Sequence, residues 1–154
     1  MFLRASANAI AENFFYYYDN SDGSNANAFM HSYLSGLLTI WIGEASAKKW
    51  TDAHEYGRLD NIGFSADMDF SNNAFGINMA LSILSSKKLF SETMLSAYLQ
   101  NAVANGYLVR ENPSLGLIID GKIDTRELVP TNSDGWRYDE YGNWRGLFYV
   151  QKDK

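Results

Sequence analysis

The chain has 154 residues, of which 46% are hydrophobic and 15% aromatic, enough for one globular domain with its own core. Its net charge is −5 and its lysines and arginines are scattered, so it lacks the basic footprint of a nucleic-acid-binding protein or a polybasic membrane surface. The absence of cysteine excludes disulfides, thiolate metal sites and a cysteine nucleophile.

The N-terminal residues do not resemble a Sec signal peptide. Polar residues Asn8, Glu12 and Asn13 interrupt their apolar character. We expect no transmembrane segment, because a span requires a run of about 18 apolar residues. A protein secreted or delivered without a Sec signal peptide, and a fragment of a longer protein, are both compatible with this sequence.

Helical periodicity dominates the first part of the chain. Apolar side chains recur every three or four positions in five segments, which span residues 2–18, about 24–42, 44–56, about 67–85 and 91–106. Good N-caps and helix-ending glycines flank these segments: Ser24 or Asn25, Ser91, Gly43, Gly57 and Gly106. Residues 58–66 are predicted to form a loop.

Two of the predicted helices carry clear apolar faces. The face of the second helix is wide enough for a central, largely buried helix and consists of Phe29, Met30, Tyr33, Leu34, Leu37, Leu38 and Trp41. In the fourth helix, the residues predicted to face inward are Phe70, Ala74, Ile77, Leu81 and Leu84.

The pattern changes after residue 106. Segments 115–119 and 123–129 flank an Asp120-Gly121 pair, which is typical of a two-residue β-hairpin turn, and residues 147–150 predict a last strand. We therefore predict a mainly α, single-domain bundle of about five helices. Its helical core covers residues 1–106, and a β-containing C-terminal extension with a small hairpin region covers residues 107–154.

Three groups of polar residues lie on the predicted helices, and they include both histidines. The groups are Asn27 and His31; Asp52, His54 and Glu55; and Asp69, Asn72, Asn73 and Gly76. Residues four apart share a helix face, so Asn27 can orient His31 and Asp69 can meet Asn73. Asp52 and Glu55 also share a face, whereas His54 lies about 200° round the helix from Asp52.

Convergence of these groups would make an acid/base pocket or a metal site with nitrogen and oxygen ligands. The candidate catalytic residues are His31, Asp52, His54, Glu55 and Asp69. The candidate binding residues are Asn27, Asn72, Asn73 and Gly76. A divalent metal is compatible with the ligand candidates His31, His54, Asp52 and Asp69, although the sequence requires no cofactor. The same residues also suit a buried polar network, and Asp67 and Asp69, Asp67 in particular, suit the N-terminus of a helix.

The three groups follow the order of a known pattern. The segments 27–31, 52–55 and 68–76 resemble a bacterial helical domain of unknown function with the motifs Asn-Ala-x-x-His, Asp-x-His-Glu and Met-Asp-x-x-Asn-Asn-x-x-Gly. The resemblance covers residues 25–80. That domain often occurs at the C-terminal ends of secreted, wall-associated and polymorphic-toxin proteins. Met30 and Ile77 stand where the family commonly has arginines, whose charge would suit a phosphate or carboxylate.

The resemblance implies an effector-like domain with a polar helical pocket and, as a partner, a cognate immunity protein. One hypothesis is a small hydrolase, an antibacterial effector that acts on an envelope component such as lipid or peptidoglycan. The other is a noncatalytic interaction domain in which the polar residues form a buried structural network. The acidic net charge disfavours a nuclease.

Overall fold

The structure, a computed structural model, describes residues 23–57, 63–86, 89–112, 114–116, 118–119, 121–133, 136–138 and 144–147. Within these ranges the chain is mainly helical, with helices first and short antiparallel strands after them, as predicted. The helix predicted for residues 2–18 and most of the strand predicted for residues 147–150 lie outside the described residues. None of the helices in these ranges is long and apolar enough to cross a bilayer.

The first two described helices meet at Gly43. Helix α1 covers Asn25–Ile42, and Ser24 closes its first turn by accepting a hydrogen bond from the Asn27 amide at 3.1 Å. Helix α2 covers Glu44–Tyr56. Gly43 has a φ of 82°, which glycine adopts without steric strain, so this one residue ends α1 and precedes α2. Both helices have the predicted bounds.

Helix α3 covers Phe64–Ser85 and begins earlier than the predicted start at Asp67. The Ser65 hydroxyl in its first turn donates a hydrogen bond to the carboxylate of Glu111, far along the chain. This contact supports the early turn from outside the helix, so local sequence did not reveal it. The prediction that residues 58–66 form a loop is therefore wrong for residues 64–66.

Helix α4 covers Glu92–Ala104. As predicted, Ser91 caps it by accepting a hydrogen bond from a backbone amide of the first turn at 3.1 Å. At its other end Gly106 has a φ of 72°, and the Tyr107 amide donates to the Ala102 carbonyl at 2.9 Å. This hydrogen bond is typical of helices that end at a glycine in the left-handed backbone conformation. Gly106 therefore ends α4.

Six short strands follow within the described residues, and they form three antiparallel pairs. They are β1 (Val109–Glu111), β2 (Ile118–Ile119), β3 (Lys122–Ile123), β4 (Leu128–Pro130), β5 (Trp136–Tyr138) and β6 (Trp144–Leu147). Strand β1 pairs with β4, β2 with β3, and β5 with β6.

The hairpin predicted around Asp120-Gly121 is present but shorter than expected. Ile118 pairs with Ile123 across the turn. The second strand then ends, because the Asp124 carboxylate accepts hydrogen bonds from the backbone amide of Arg126 at 3.1 Å and from its guanidinium at 2.6 Å, which bends the chain locally. The remainder of the predicted strand belongs to β4, which pairs with β1 instead.

Helix α1 lies at the centre of the core. Phe29, Tyr33 and Leu37 are at most 1% exposed and belong to one buried cluster with Leu95 and Leu99 of α4. The predicted apolar face of α1 is therefore correct over most of its length. It is wrong at its C-terminal end, where the Trp41 side chain is 54% exposed.

The inner face of α3 combines polar and small residues with a few large apolar ones. Its buried residues are Met68, Asp69, Asn72, Asn73, Gly76, Ile77, Ala80 and Ile83. The predicted inward face is wrong for Ala74 and Leu84, both of which are exposed. The reason is the closeness of α1: a Cβ atom added at Gly76 would overlap the carbonyl oxygen of Ser32, so small residues and residues with hydrogen-bond partners occupy this contact.

We expect Gly76→Ala to lower the free energy of unfolding by about 1–3 kcal/mol, the usual cost of overpacking a core. The loss should occur although alanine favours a helix over glycine by about 1 kcal/mol. Gly36→Ala is the matched control, because the atoms nearest to a methyl group there are 3.1 Å away, and it should cost less. Urea unfolding of both variants measures the difference, and a Gly76→Ala variant as stable as wild type would contradict the close packing of α1 and α3.

Candidate functional site

Three helices bring a histidine and two carboxylates together. His31 of α1 lies between Glu55, in the last turn of α2, and Asp69, in the second turn of α3. Its Nδ1 atom is 3.4 Å from Glu55 Oε1, and its Nε2 atom is 3.2 Å from Asp69 Oδ1. Each ring nitrogen therefore faces one carboxylate oxygen.

Asn73 of α3 completes the group, which we call the His31 cluster: His31, Glu55, Asp69 and Asn73. The Asn73 side-chain amide donates a hydrogen bond to Glu55 Oε1 at 3.1 Å. The four residues are between 2% and 7% exposed. Their electrostatic interactions are consequently less screened by water than those of surface charges.

The protonation of the ring determines which contacts this arrangement can make. An imidazolium carries a proton on both nitrogens and can donate to both carboxylates. A neutral imidazole donates from one nitrogen only and presents a lone pair at the other. In the neutral form, the cluster therefore offers a base or a ligand atom beside a carboxylate.

Opposing effects act on the Glu55 carboxyl. Burial disfavours its ionised form, while the hydrogen bond and charge of His31 and the hydrogen bond from Asn73 favour it. The charge of His54 acts in the same direction. The favourable interactions outweigh burial and hold the pKa of Glu55 below its ordinary value. Glu55 is thus the partner best suited to hold His31 in a fixed orientation.

Two predicted site residues lie elsewhere on α2. The Lys48 ammonium donates a hydrogen bond to the Asp52 carboxylate at 2.9 Å, and the side chains of this pair are 67% and 31% exposed. The ring of His54 stacks on Trp50 with 5.8 Å between the ring centroids. The expected approach of Asp52 and His54 to His31 is therefore not what the structure shows.

The remaining candidates are buried, and two of them make structural contacts. The Asn72 side chain donates to the Val109 carbonyl at 2.8 Å and accepts from the Val109 amide at 3.1 Å, which attaches β1 to α3. Gly76 lies at the close contact between α3 and α1, where a side chain would not fit. Asn27 is buried on α1, one turn before His31.

The set of metal-ligand candidates changes accordingly. In place of His31, His54, Asp52 and Asp69, the structure groups His31, Glu55 and Asp69, with one donor atom of each residue within 4.8 Å of the others. The sequence does contain a signal for Glu55. Ala47 and Thr51 precede it at intervals of four residues, and all three form the buried stripe of α2.

Comparison with protein families identifies the chain. The family model of the domain of unknown function DUF6973 matches residues 2–107, and the chain belongs to this family. The match ends where the helical part of the chain ends. Curated proteins give no match, and neither do solved structures.

The lowered pKa of Glu55 makes a prediction for acid stability. A carboxyl whose pKa is lower in the folded state stabilises the fold above its unfolded pKa, and this contribution is lost as pH falls through the folded pKa. The ordinary pKa of this carboxyl is 4.5. Below about pH 4.5, we expect the free energy of unfolding to fall less steeply in Glu55→Gln than in wild type.

Urea unfolding at several pH values between neutral and strongly acidic conditions measures this effect. His31→Asn removes the main favourable partner and should flatten the same part of the curve. Parallel pH curves for wild type and Glu55→Gln would contradict the proposed role of His31 in keeping Glu55 ionised.

Proposed function

We propose that this domain is a hydrolase that acts on a component of the bacterial envelope, lipid or peptidoglycan, and that the His31 cluster activates the attacking water. The observation that carries this proposal is the position of His31 between two carboxylates, each from a different helix. A histidine oriented by one carboxylate is a recurrent means of moving a proton during hydrolysis.

The two carboxylates have different roles in this proposal. Glu55, held by Asn73, accepts a hydrogen bond from Nδ1 and fixes the ring, so it is a positioning residue. Nε2 and Asp69 then form the reactive side, where His31 serves as base or ligand and Asp69 lies 3.2 Å away. A general base of this kind contributes about 10² to 10⁴ in rate.

The substrate class is inferred from context and charge. The resemblance of the polar motifs to domains at the ends of secreted and polymorphic-toxin proteins supports an antibacterial effector. The net charge of −5 disfavours polyanionic nucleic acids as substrates. A producing cell would protect itself from such an effector with a cognate immunity protein.

A specific observation also supports the second candidate, a noncatalytic interaction domain. His31, Glu55 and Asp69 are 7%, 2% and 5% exposed, as expected for a closed network that fixes the positions of three helices. In this alternative the cluster only stabilises the packing of the helices, and the outer surface of the domain binds the partner.

Expression in a bacterial host separates the two candidates. A hydrolase of envelope components should harm the cell from the periplasm and be tolerated in the cytoplasm. We expect His31→Ala and Asp69→Asn to abolish the harm, and His54→Ala, which removes the histidine outside the cluster, to retain it. Growth curves measure the effect, and circular dichroism of each purified variant shows whether it is folded.

Asp69→Asn is the decisive variant, because it keeps the shape of the side chain while removing its charge. A folded Asp69→Asn protein that is fully harmful would contradict the catalytic role. If His31→Ala unfolds the domain and Asp69→Asn is harmful, the interaction domain is the correct assignment. A wild type that is harmless in both compartments would overturn the effector assignment.

A further inference from the structure

The His31 cluster contains the donor set of a mononuclear metal site. His31, Glu55 and Asp69 each offer one nitrogen or oxygen atom, and these atoms lie within 4.8 Å of one another. They come from α1, α2 and α3, so the donors are held on three separate rigid elements. We propose that this cluster binds one divalent cation, with Zn²⁺ as the best fit, through these three side chains.

The spacing of the donors suits tetrahedral coordination. Two ligands bound to zinc at about 2.0–2.1 Å lie about 3.3 Å apart in a tetrahedral site. His31 Nε2 and Asp69 Oδ1 are already 3.2 Å apart. Glu55 Oε1 lies on the other side of the ring, 3.4 Å from Nδ1, so its carboxylate needs to move toward Nε2. The three residues offer donor atoms that all lie within 4.8 Å of one another.

Two features of the surroundings support a metal site beyond the donor set. The Asn73 amide donates to Glu55 Oε1 at 3.1 Å, as outer residues commonly do to ligating carboxylates. The close packing of α1 on α3 at Gly76 limits the movement of His31 relative to Asp69. Both features restrict the ligand side chains before a metal binds, so binding would cost less conformational entropy.

The chemistry of the donors favours zinc over magnesium or calcium. Imidazole is a preferred ligand of zinc, whereas the two other ions prefer sites built from oxygen alone. Three protein ligands leave the fourth position of a tetrahedral zinc site for a water molecule. The inference rests on the proposed function in one respect: such a water would be the nucleophile of the hydrolysis, and His31 would be a ligand rather than the base.

Zinc binding can be measured without any assay of activity. The untagged 154-residue chain is purified with a chelator, dialysed, and titrated with ZnCl₂ in a calorimeter, with MgCl₂ as the comparison. We expect one saturable zinc site per chain and a rise in the thermal unfolding midpoint on adding zinc, because the folded state alone assembles the site. Asp69→Asn and Glu55→Gln should abolish this binding, and Asn73→Ala should weaken it by about 10- to 100-fold.

Asp52→Asn and His54→Ala are the matched controls, since they remove a carboxylate and an imidazole from α2 outside the cluster. Both should bind zinc as wild type does. The absence of saturable zinc binding, or unchanged binding by a folded Asp69→Asn variant, would overturn the inference. Loss of binding only in the two controls would also overturn it, because it would place the ion on the exposed side of α2.

The outcomes distinguish this inference from the proposed function. If harm to the host depends on His31 and Asp69 but the protein binds no zinc, the metal site is overturned. The proposed hydrolase would then use His31 as its base. Zinc binding by a domain that is harmless in both compartments would establish the metal site and overturn the effector assignment.

Discussion

The arrangement of the helices depends on how closely α3 approaches α1 at Gly76. At this position even a single methyl group would overlap the Ser32 carbonyl oxygen. The Ser32 hydroxyl donates to the Ala28 carbonyl of its own helix at 3.0 Å. This small polar side chain therefore needs no hydrogen-bond partner from α3. Asn73 and Asp69 lie about one and two turns before Gly76, and the close approach brings them next to His31.

Buried asparagines then attach the strand region to the helices. Asn72 makes two hydrogen bonds with the backbone of Val109, as a neighbouring strand would. Asn25, at the start of α1, donates to the Thr131 carbonyl at 3.0 Å. Buried amides need such partners, so an asparagine on the inner face of a helix indicates either a docking contact or a functional site. Asn72 attaches β1 to α3, whereas Asn73, its neighbour in sequence, donates to Glu55 in the His31 cluster.

Most helix bounds were predictable because their determinants are local, whereas the early start of α3 depends on the distant Glu111. Ser24 and Ser91 cap within their own first turns, and Gly43 and Gly106 end helices through their own backbone angles. The convergence of side chains was only partly predictable. Each step along a helix rotates the side chain by about 100°, so Asp52 and Glu55 lie on similar sides, and only the stripe that Glu55 shares with Ala47 and Thr51 distinguishes it. Which of them faces inward follows from the packing of α2 on its neighbours. The pairing of β1 with β4 joins short segments separated by a hairpin, and short segments carry little periodic signal.

The burial of the His31 cluster does not by itself separate a structural role from a reactive one. With both ring nitrogens protonated, His31 pairs its charge with Glu55 and Asp69 and so links three helices by electrostatic attraction. With Nε2 deprotonated, the same ring presents a lone pair beside the Asp69 carboxylate, which is the condition for accepting a proton or a metal ion. A proton and a cation therefore compete for one atom. In the proposals made above, the protonation state of His31 would decide whether the cluster links the helices or reacts.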